Sequence, residues 1–294
     1  MRNISEDTIT QAVLASMDGC GDKRLHRIMT SLVQHLHAFA RDVELTEQEW
    51  FHAIQFLTDV GHITDDKRQE FVLLSDTLGL SMLVTTQNNR KPAVCTEATV
   101  LGPFFVDGAP LFENGADLSN GAPGSPCFVS GRVRGVDGEP VVGAWVDVWQ
   151  SDEDGYYDVQ KVTDAVGDMT HSARGKVCTQ ADGSFHFRSI LAEAYPIPYD
   201  GPVGRMLDAL GRHPWRPAHL HFWIKAQGYE PLITHVFRAG DQYLDSDSVF
   251  GVRSKLIVEW VGHEPGIAPD GTPMDIPFHT LDYDFVLNPT GSDA

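Results

Sequence analysis

Arg216-Pro217-Ala218-His219-Leu220-His221-Phe222-Trp223 is the stretch on which the reading of the fold turns. Successive side chains of a β-strand point to opposite faces. Leu220 and Phe222 therefore point one way, into a core, and His219 and His221 point the other. Two imidazoles converging from one strand make half of a four-ligand metal site. Taken alone, such a pair is more often just polar and half-buried on the wet face of an antiparallel strand. The rest of the chain decides between the two.

Outward from this strand the period of two persists. From Cys127 onward CFVSGRV, VVGAWVDVW, GKVCTQ, SFHFRSI, HLHFWIKA, LITHVFR and KLIVEWV read as short strands, separated by turn signals such as VDGEP, QADGS and AQGYEP. That many strands predict an antiparallel β-sandwich. Upstream the period is helical. Leu25, Ile28, Met29, Leu32, Leu36, Phe39 and Ala40 share one apolar face, and Thr46-Glu-Gln-Glu49 has the form of a capping box opening a helix over 47–60. A third helix is predicted from Asp66 to Gln87, apolar on more than one face. Residues 102–126, dense in Gly, Pro, Asn and Asp, read as a connector, and NPTGSDA at the end as a frayed tail. The fold class is thus α+β. The expected division is a helical domain over residues 1–100 and a β-sandwich domain over residues 101–294.

Composition narrows the function. The chain has 294 residues, 42% hydrophobic, with a formal charge of −19. Such a surface repels phosphate backbones and anionic headgroups, which argues against nucleic-acid and membrane-surface partners. No apolar run reaches the roughly 18 residues of a membrane span, and MRNISEDTITQAVLASM lacks a signal-peptide core. Cys20, Cys95, Cys127 and Cys178 form no CxxC pair and read as reduced thiols of a cytoplasmic protein. A metal here must then be held by nitrogen and oxygen.

Two tyrosines stand where such donors are needed. Tyr157, in Asp154-Gly-Tyr-Tyr-Asp158, follows the strand VVGAWVDVWQ, and Tyr195, in SILAEAYPIPYDGP, follows SFHFRSI. A tyrosine at a strand exit is usually a packing residue with a wet hydroxyl. Two at matching exits, together with His-x-His, form a pattern: Gly-x-Tyr, then Ala-Tyr-x-x-Pro, then Arg-Pro-Ala-His-x-His. It resembles the intradiol ring-cleaving dioxygenases over most of the chain. The helical N-terminal part and Thr99-Val-Leu-Gly-Pro-Phe-Phe105 look like the catechol 1,2-dioxygenase branch; LLSDTLG at 73–79, GPFFVDGAP at 102–110 and YLDSD at 243–247 look most like its hydroxyquinol 1,2-dioxygenase subgroup.

The resemblance implies one non-haem Fe(III) per chain, held by Tyr157, Tyr195, His219 and His221. Phenolate is a hard anionic donor suited to a ferric ion, and two phenolates with a hydroxide balance its charge. The implied reaction is cleavage of an aromatic diol by O2 between its two hydroxyls. Tyr195 leaves the metal and takes up a substrate proton, Tyr157 stays, and Arg216 stabilises negative charge developing on the ring. Hydroxyquinol is the implied substrate, opening to 3-hydroxy-cis,cis-muconate (maleylacetate); catechol and chlorocatechols are the alternatives. A remoter alternative is a β-sandwich that only binds a ligand, which would be colourless and free of iron. His235 stands where catechol-cleaving relatives carry a glutamine and reads as a hydrogen-bonding group behind the ligands. The substrate pocket is expected from Leu73, Asp76, Leu78, Val100, Gly102, Pro103, Phe104, Ile197, Pro198 and Arg216. Asp76, an acid amid apolar residues, reads as the acceptor for a third ring hydroxyl. The excess apolar surface of 25–40 and 66–87 predicts a homodimer through the helices; the family commonly keeps a phospholipid-like molecule between them.

Overall fold

The computed structural model describes residues 2–65, 68–161 and 171–291. Its first helices are α1 (Ile9–Ala15), α2 (Lys23–Asp42) and α3 (Glu47–Ile63). Asp22 caps α2, its carboxylate accepting from the amides of Arg24 and Leu25, two donors with no partner inside the helix. The expected capping box opens α3: the Glu49 amide donates to Thr46 Oγ1 at 3.3 Å, and the Thr46 amide to Glu49 Oε2 at 2.9 Å.

The helix expected over 66–87 is instead two, α4 (Glu70–Thr77) and α5 (Leu80–Asn88); residues 66 and 67 lie outside the described residues. The break is at Gly79, whose φ of +74° is left-handed. A glycine takes that conformation without steric cost and ends a helix, even inside an apolar run that keeps the helical period. By internal contacts the chain divides into Met1–His62 and Ile63–Ala294. Every candidate site residue lies in the second unit.

The strands are β1 (Pro126–Arg134), β2 (Trp145–Gln150), β3 (Arg174–Cys178), β4 (Ser184–Ile190), β5 (Tyr195–Pro196), β6 (Trp215–Arg216), β7 (His219–Lys225) and β8 (Leu232–Arg238), with α6 (Pro202–Ala209) between β5 and β6. Then come β9 (Ile257–Val258), β10 (Val261–His263), the short pair β11 (Gly266–Ile267) and β12 (Pro273–Met274), β13 (Phe278–Asp282) and β14 (Phe285–Val286). One sheet has the order β3-β2-β7-β8-β9, the other β10-β13-β1-β14 with β4 also on β1. The strands carrying the site pair antiparallel: β2 with β3 and β7, β7 with β8, and β5 with β6. Late strands depart from the expected pattern. β9 runs parallel to β8, and β13 and β14 parallel to β1, because the chain reaches them through long connections rather than hairpins.

Between the sheets Val129, Val133, Phe185 and Phe187 meet Val146, Val148, Leu220, Phe222 and Ile224 in one core. Leu220 and Phe222 thus face inward as the alternation requires. On the opposite face of β7 His219 and His221 are buried as well, and beside them the stretch 97–99 is bonded to β8. Thr234 Oγ1 donates to the Glu97 carbonyl at 2.7 Å, and the Thr99 amide donates to the Ile233 carbonyl at 2.9 Å. That strap carries the following residues, Val100 to Phe104, toward the histidines.

Candidate active site

His219 and His221 leave β7 on the same side, with their Nε2 atoms 3.1 Å apart. The Tyr157 hydroxyl is 2.9 Å from His221 Nε2 and 3.5 Å from His219 Nε2. The Tyr195 ring stands edge-on to that of Tyr157, centroids 5.2 Å apart, and 5.7 Å from the His219 ring. All four side chains are buried, none more than 2% exposed.

Each is held from behind. Register pairs Trp149 of β2 with His221, and the indole stacks on that imidazole at 4.6 Å. Tyr157 lies under Phe104 at 4.4 Å, and its amide donates to Gln160 Oε1. The next residue, Asp158, is gripped by buried Arg174, whose Nε and Nη2 donate to the two carboxylate oxygens at 2.9 and 2.6 Å; Nη2 also donates to the Phe104 carbonyl at 2.8 Å. One guanidinium thus ties the Tyr157 loop to the segment that covers it. Gly102, with φ +77°, passes so close that an added Cβ would lie 3.3 Å from His221 Cε1. A side chain there would be both strained and in the way.

Arg216 enters from β6. Its Nη1 lies 3.5 Å from the Tyr195 hydroxyl and 3.4 Å from His219 Nε2, while Nε and Nη2 donate to the two oxygens of Asp247 at 3.0 and 3.3 Å. The Asp247 carboxylate also accepts from the Gly251 amide at 2.8 Å and the Val249 amide at 3.3 Å. Burial works against both charges. Each outweighs that for the other: Asp247 and the neighbouring tyrosine hydroxyls hold the guanidinium's pKa above its ordinary value, and Arg216 holds the carboxyl's below it.

The same low-dielectric environment keeps the histidines neutral. Burial, then the charge of Arg216, lowers His219 to about 3. Burial, then the adjacent His235, puts His221 well below its usual value, and burial does the same to His235. Burial raises the Tyr157 phenol well above its ordinary value, reinforced by Tyr195. Phenolate in this pocket therefore needs a cation, and a metal ion supplies one.

The donors fit a metal. His219 Nδ1 lies 2.7 Å from the Pro217 carbonyl, which can only accept. That fixes the tautomer and leaves the Nε2 lone pair pointing at its neighbours. Metal–nitrogen bonds of about 2.1 Å separate neighbouring ligand atoms by roughly 3 Å, and the three separations here are 2.9, 3.1 and 3.5 Å. His235 is near enough to be counted with the other two histidines as a metal group. Its Nε2, however, is 2.8 Å from His221 Nδ1, on the far edge of that ring, and its Nδ1 is 3.0 Å from Thr99 Oγ1. Both of its nitrogens are thus engaged, one of them on the far side of His221.

Of the residues expected to line the pocket, Leu73, Asp76, Val100 and Ile197 are buried, and Gly102, Phe104 and Pro198 half-buried. Pro103 is exposed, and Leu78, at the C-cap of α4, is 61% exposed. Asp76 is 5% exposed. Burial raises its pKa against a hydrogen bond from Ser81 and the field of Arg216. Sequence reasoning missed Asp247, Arg174, Asp158 and Trp149 as parts of the site. Only Trp149 carried a usable signal: Val146 and Val148 face the core, so Trp149 shares the other face with His221 across the register.

A groove of about 530 Å³ lies elsewhere, lined by Phe128, Ser130, Arg132, His186, Arg188 and Asp282 among others. Several of its charged groups are paired: Arg188 with Asp270, Arg132 with Asp182, and Asp282 with Ser130.

Comparison with known proteins gives the family. Residues 100–289 match the dioxygenase family model, and residues 22–96 the model for the catechol dioxygenase N terminus. The chain belongs to the intradiol dioxygenase family. Among family members, the 6-chlorohydroxyquinol 1,2-dioxygenase of Cupriavidus pinatubonensis is 57% identical over 290 residues, covering 99% of this chain and all of that protein. The hydroxyquinol 1,2-dioxygenase of Nocardioides simplex is 47% identical over 285 residues, 97% of this chain and 96% of the relative. The crystal structure of hydroxyquinol 1,2-dioxygenase from Pseudomonas putida DLL-E4 superposes with a TM-score of 0.89 at 46% identity, covering 97% of this chain and 98% of that one. Membership makes the chain an oxidoreductase and implies a non-haem iron centre. Among the described residues no helix is long and apolar enough to cross a membrane.

Proposed function

We propose that this chain cleaves hydroxyquinol between its adjacent hydroxyls with O2, giving 3-hydroxy-cis,cis-muconate, at one Fe(III) held by Tyr157, Tyr195, His219 and His221. The observation that carries the reading is the convergence of the Tyr157 hydroxyl and the two Nε2 atoms within 3.5 Å of one another in a buried pocket. Held by these four residues, ferric iron would supply a Lewis-acidic centre for the diol oxygens.

The chain's own groups divide the remaining work. Tyr157 is stacked, hydrogen-bonded at its amide and clamped through Asp158, so it is the tyrosine that stays. Tyr195 has Arg216 beside its phenol oxygen and lacks that clamp; as the phenolate it would accept a proton from the entering diol. Arg216, locked by Asp247, places a fixed positive charge where the ring becomes negative. Phe104 and the apolar wall keep water from the ring. Asp76 accepts a hydrogen bond from the third hydroxyl.

Oxygen uptake on hydroxyquinol, 6-chlorohydroxyquinol, catechol and chlorocatechols, with products identified, tests the reading. The hydroxyquinols should turn over faster. Faster turnover of catechol would move the assignment to the catechol-cleaving branch. Asp76→Ala should lower kcat/KM for hydroxyquinol about tenfold to a hundredfold, since an unsatisfied buried polar group costs roughly 1–3 kcal/mol, and should affect catechol less. Equal slowing of both would show that Asp76 only holds α4 in place.

Residues 1–100 serve assembly in this reading and 101–294 catalysis, although Leu73 and Asp76 of the first part contribute to the pocket. Leu25, Ile28, Leu32, Leu36, Phe39 and Val43 are 45–55% exposed along α2. Such a stripe is more apolar surface than a lone helix in water retains without a partner. The proposed partner is a second copy, with a phospholipid-like molecule between the helices, detectable by mass spectrometry of an organic extract. Sedimentation at micromolar concentration should give twice the chain mass of 32.4 kDa; a stable monomer would discard the dimer. Four free thiols support a cytoplasmic location.

A further inference from the structure

The two histidines of β7 are not supported alike. His219 Nδ1 faces a backbone carbonyl, an acceptor that dictates its tautomer without condition. His221 Nδ1 faces the Nε2 of another neutral imidazole, His235, which can either donate or accept. The choice passes one residue further, to the Thr99 hydroxyl 3.0 Å from His235 Nδ1. Thr99 is 2% exposed and His235 is fully buried, so water cannot substitute for either partner.

We infer that Thr99 and His235 form a relay that makes the metal-binding tautomer of His221 available, and that Thr99 is a positioning residue for the metal. The inference rests on the iron reading given above. For His221 to offer its Nε2 lone pair, its proton must sit on Nδ1 and be donated to His235 Nε2. His235 must then carry its own proton on Nδ1 and donate it to Thr99 Oγ1. The opposite arrangement moves both protons: His235 donates to His221 Nδ1, and His221 carries hydrogen on Nε2, where the metal would be. With an acceptor at Thr99 the first arrangement satisfies every ring nitrogen. Without one it leaves a buried N–H unpaired, and the second arrangement is favoured.

Thr99 also belongs to the strap on β8 that leads into Val100, Gly102 and Phe104. The residue that orients His221 therefore lies on the same segment that covers it. This linkage distinguishes the His221 side of the site from the His219 side.

Iron loss to a competing chelator, followed by the tyrosinate charge-transfer band and by iron per chain, tests the relay on the full-length protein. Thr99→Val keeps the shape and removes the acceptor; Thr99→Ser keeps the acceptor. The Val variant should lose iron about 10–100-fold faster than wild type, the usual cost of removing a group that orients a metal ligand. The Ser variant should stay close to wild type. A second pair guards against misfolding: His235→Gln retains an acceptor for His221 and should hold iron, whereas His235→Leu should release it. A wild-type protein without iron overturns the iron reading and this inference with it. Wild-type protein that holds iron while Thr99→Val holds it equally well overturns the relay alone, as does equal loss from the Val and Ser variants.

Discussion

Replacing His219 with alanine should yield a colourless protein that binds little iron and cleaves no ring. His219 supplies an Nε2 lone pair whose direction is fixed by the bond between Nδ1 and the Pro217 carbonyl. With its pKa near 3, the imidazole stays neutral throughout the working pH range and is always available to a metal. No neighbour can replace it. His235 has both nitrogens engaged, and Arg216 Nη1, 3.4 Å away, has protons where a lone pair is needed. Loss of an orienting partner alone costs 10–100-fold in metal affinity or activity, so removal of a ligand should cost at least about 100-fold. Iron per chain, the visible charge-transfer band and oxygen uptake on hydroxyquinol report the result. A His219→Ala enzyme that lacks the band yet keeps full ring cleavage would falsify the ligand assignment.

The part of the site built from local pattern was legible in the sequence. Alternation along 219–225 separates Leu220 and Phe222, which enter the core, from His219 and His221, which meet the tyrosines. Two tyrosines at strand exits could be located because strands end at recognisable turns. The capping box at Thr46 is a four-residue motif and formed as written. Features that depend on distant residues were not legible. Arg216 and Asp247 are 31 positions apart, and nothing in either neighbourhood says that they share a buried pair. Thr99 and His235, 136 apart, meet only because the strap is bonded to β8. The break at Gly79 escaped because the apolar period runs through it; the glycine's left-handed φ is a backbone property that the hydrophobic pattern does not record. The parallel placement of β9, β13 and β14 is likewise set by long connections and not by the composition of the strands.

Asp247→Ala should be the most destabilising single change near the site, by about 3–5 kcal/mol, the usual cost of removing one partner from a buried ion pair. The carboxylate does three things at once: it takes Nε and Nη2 of Arg216 in a fork, accepts from the Gly251 amide, and accepts from the Val249 amide. Alanine leaves all four donors without that acceptor, around a guanidinium that is 2% exposed. The chain cannot relax easily, because Gly251 already lies where an added Cβ would be 2.9 Å from Arg216 Nη2. The pH dependence has a definite sign. Asp247 titrates below its ordinary value in the folded protein, so the pair's contribution is complete above the unfolded pKa of about 3.9 and is lost as pH falls through the lower folded value. The deficit of the alanine variant should therefore be full at neutral pH and should narrow in acid. Activity should fall with stability, since the freed guanidinium can swing from the Tyr195 hydroxyl toward Asp76, the other acid whose field it feels. Asp247→Asn keeps an oxygen acceptor and the side chain's shape but not its charge. It should recover part of the stability and less of the kcat, separating the carboxylate's hold on the loop from its hold on Arg216. Denaturant unfolding of both variants at neutral pH decides the matter: an alanine variant within about 0.5 kcal/mol of wild type, the range of an ordinary surface change, would mean that Arg216 is held in place by something other than Asp247.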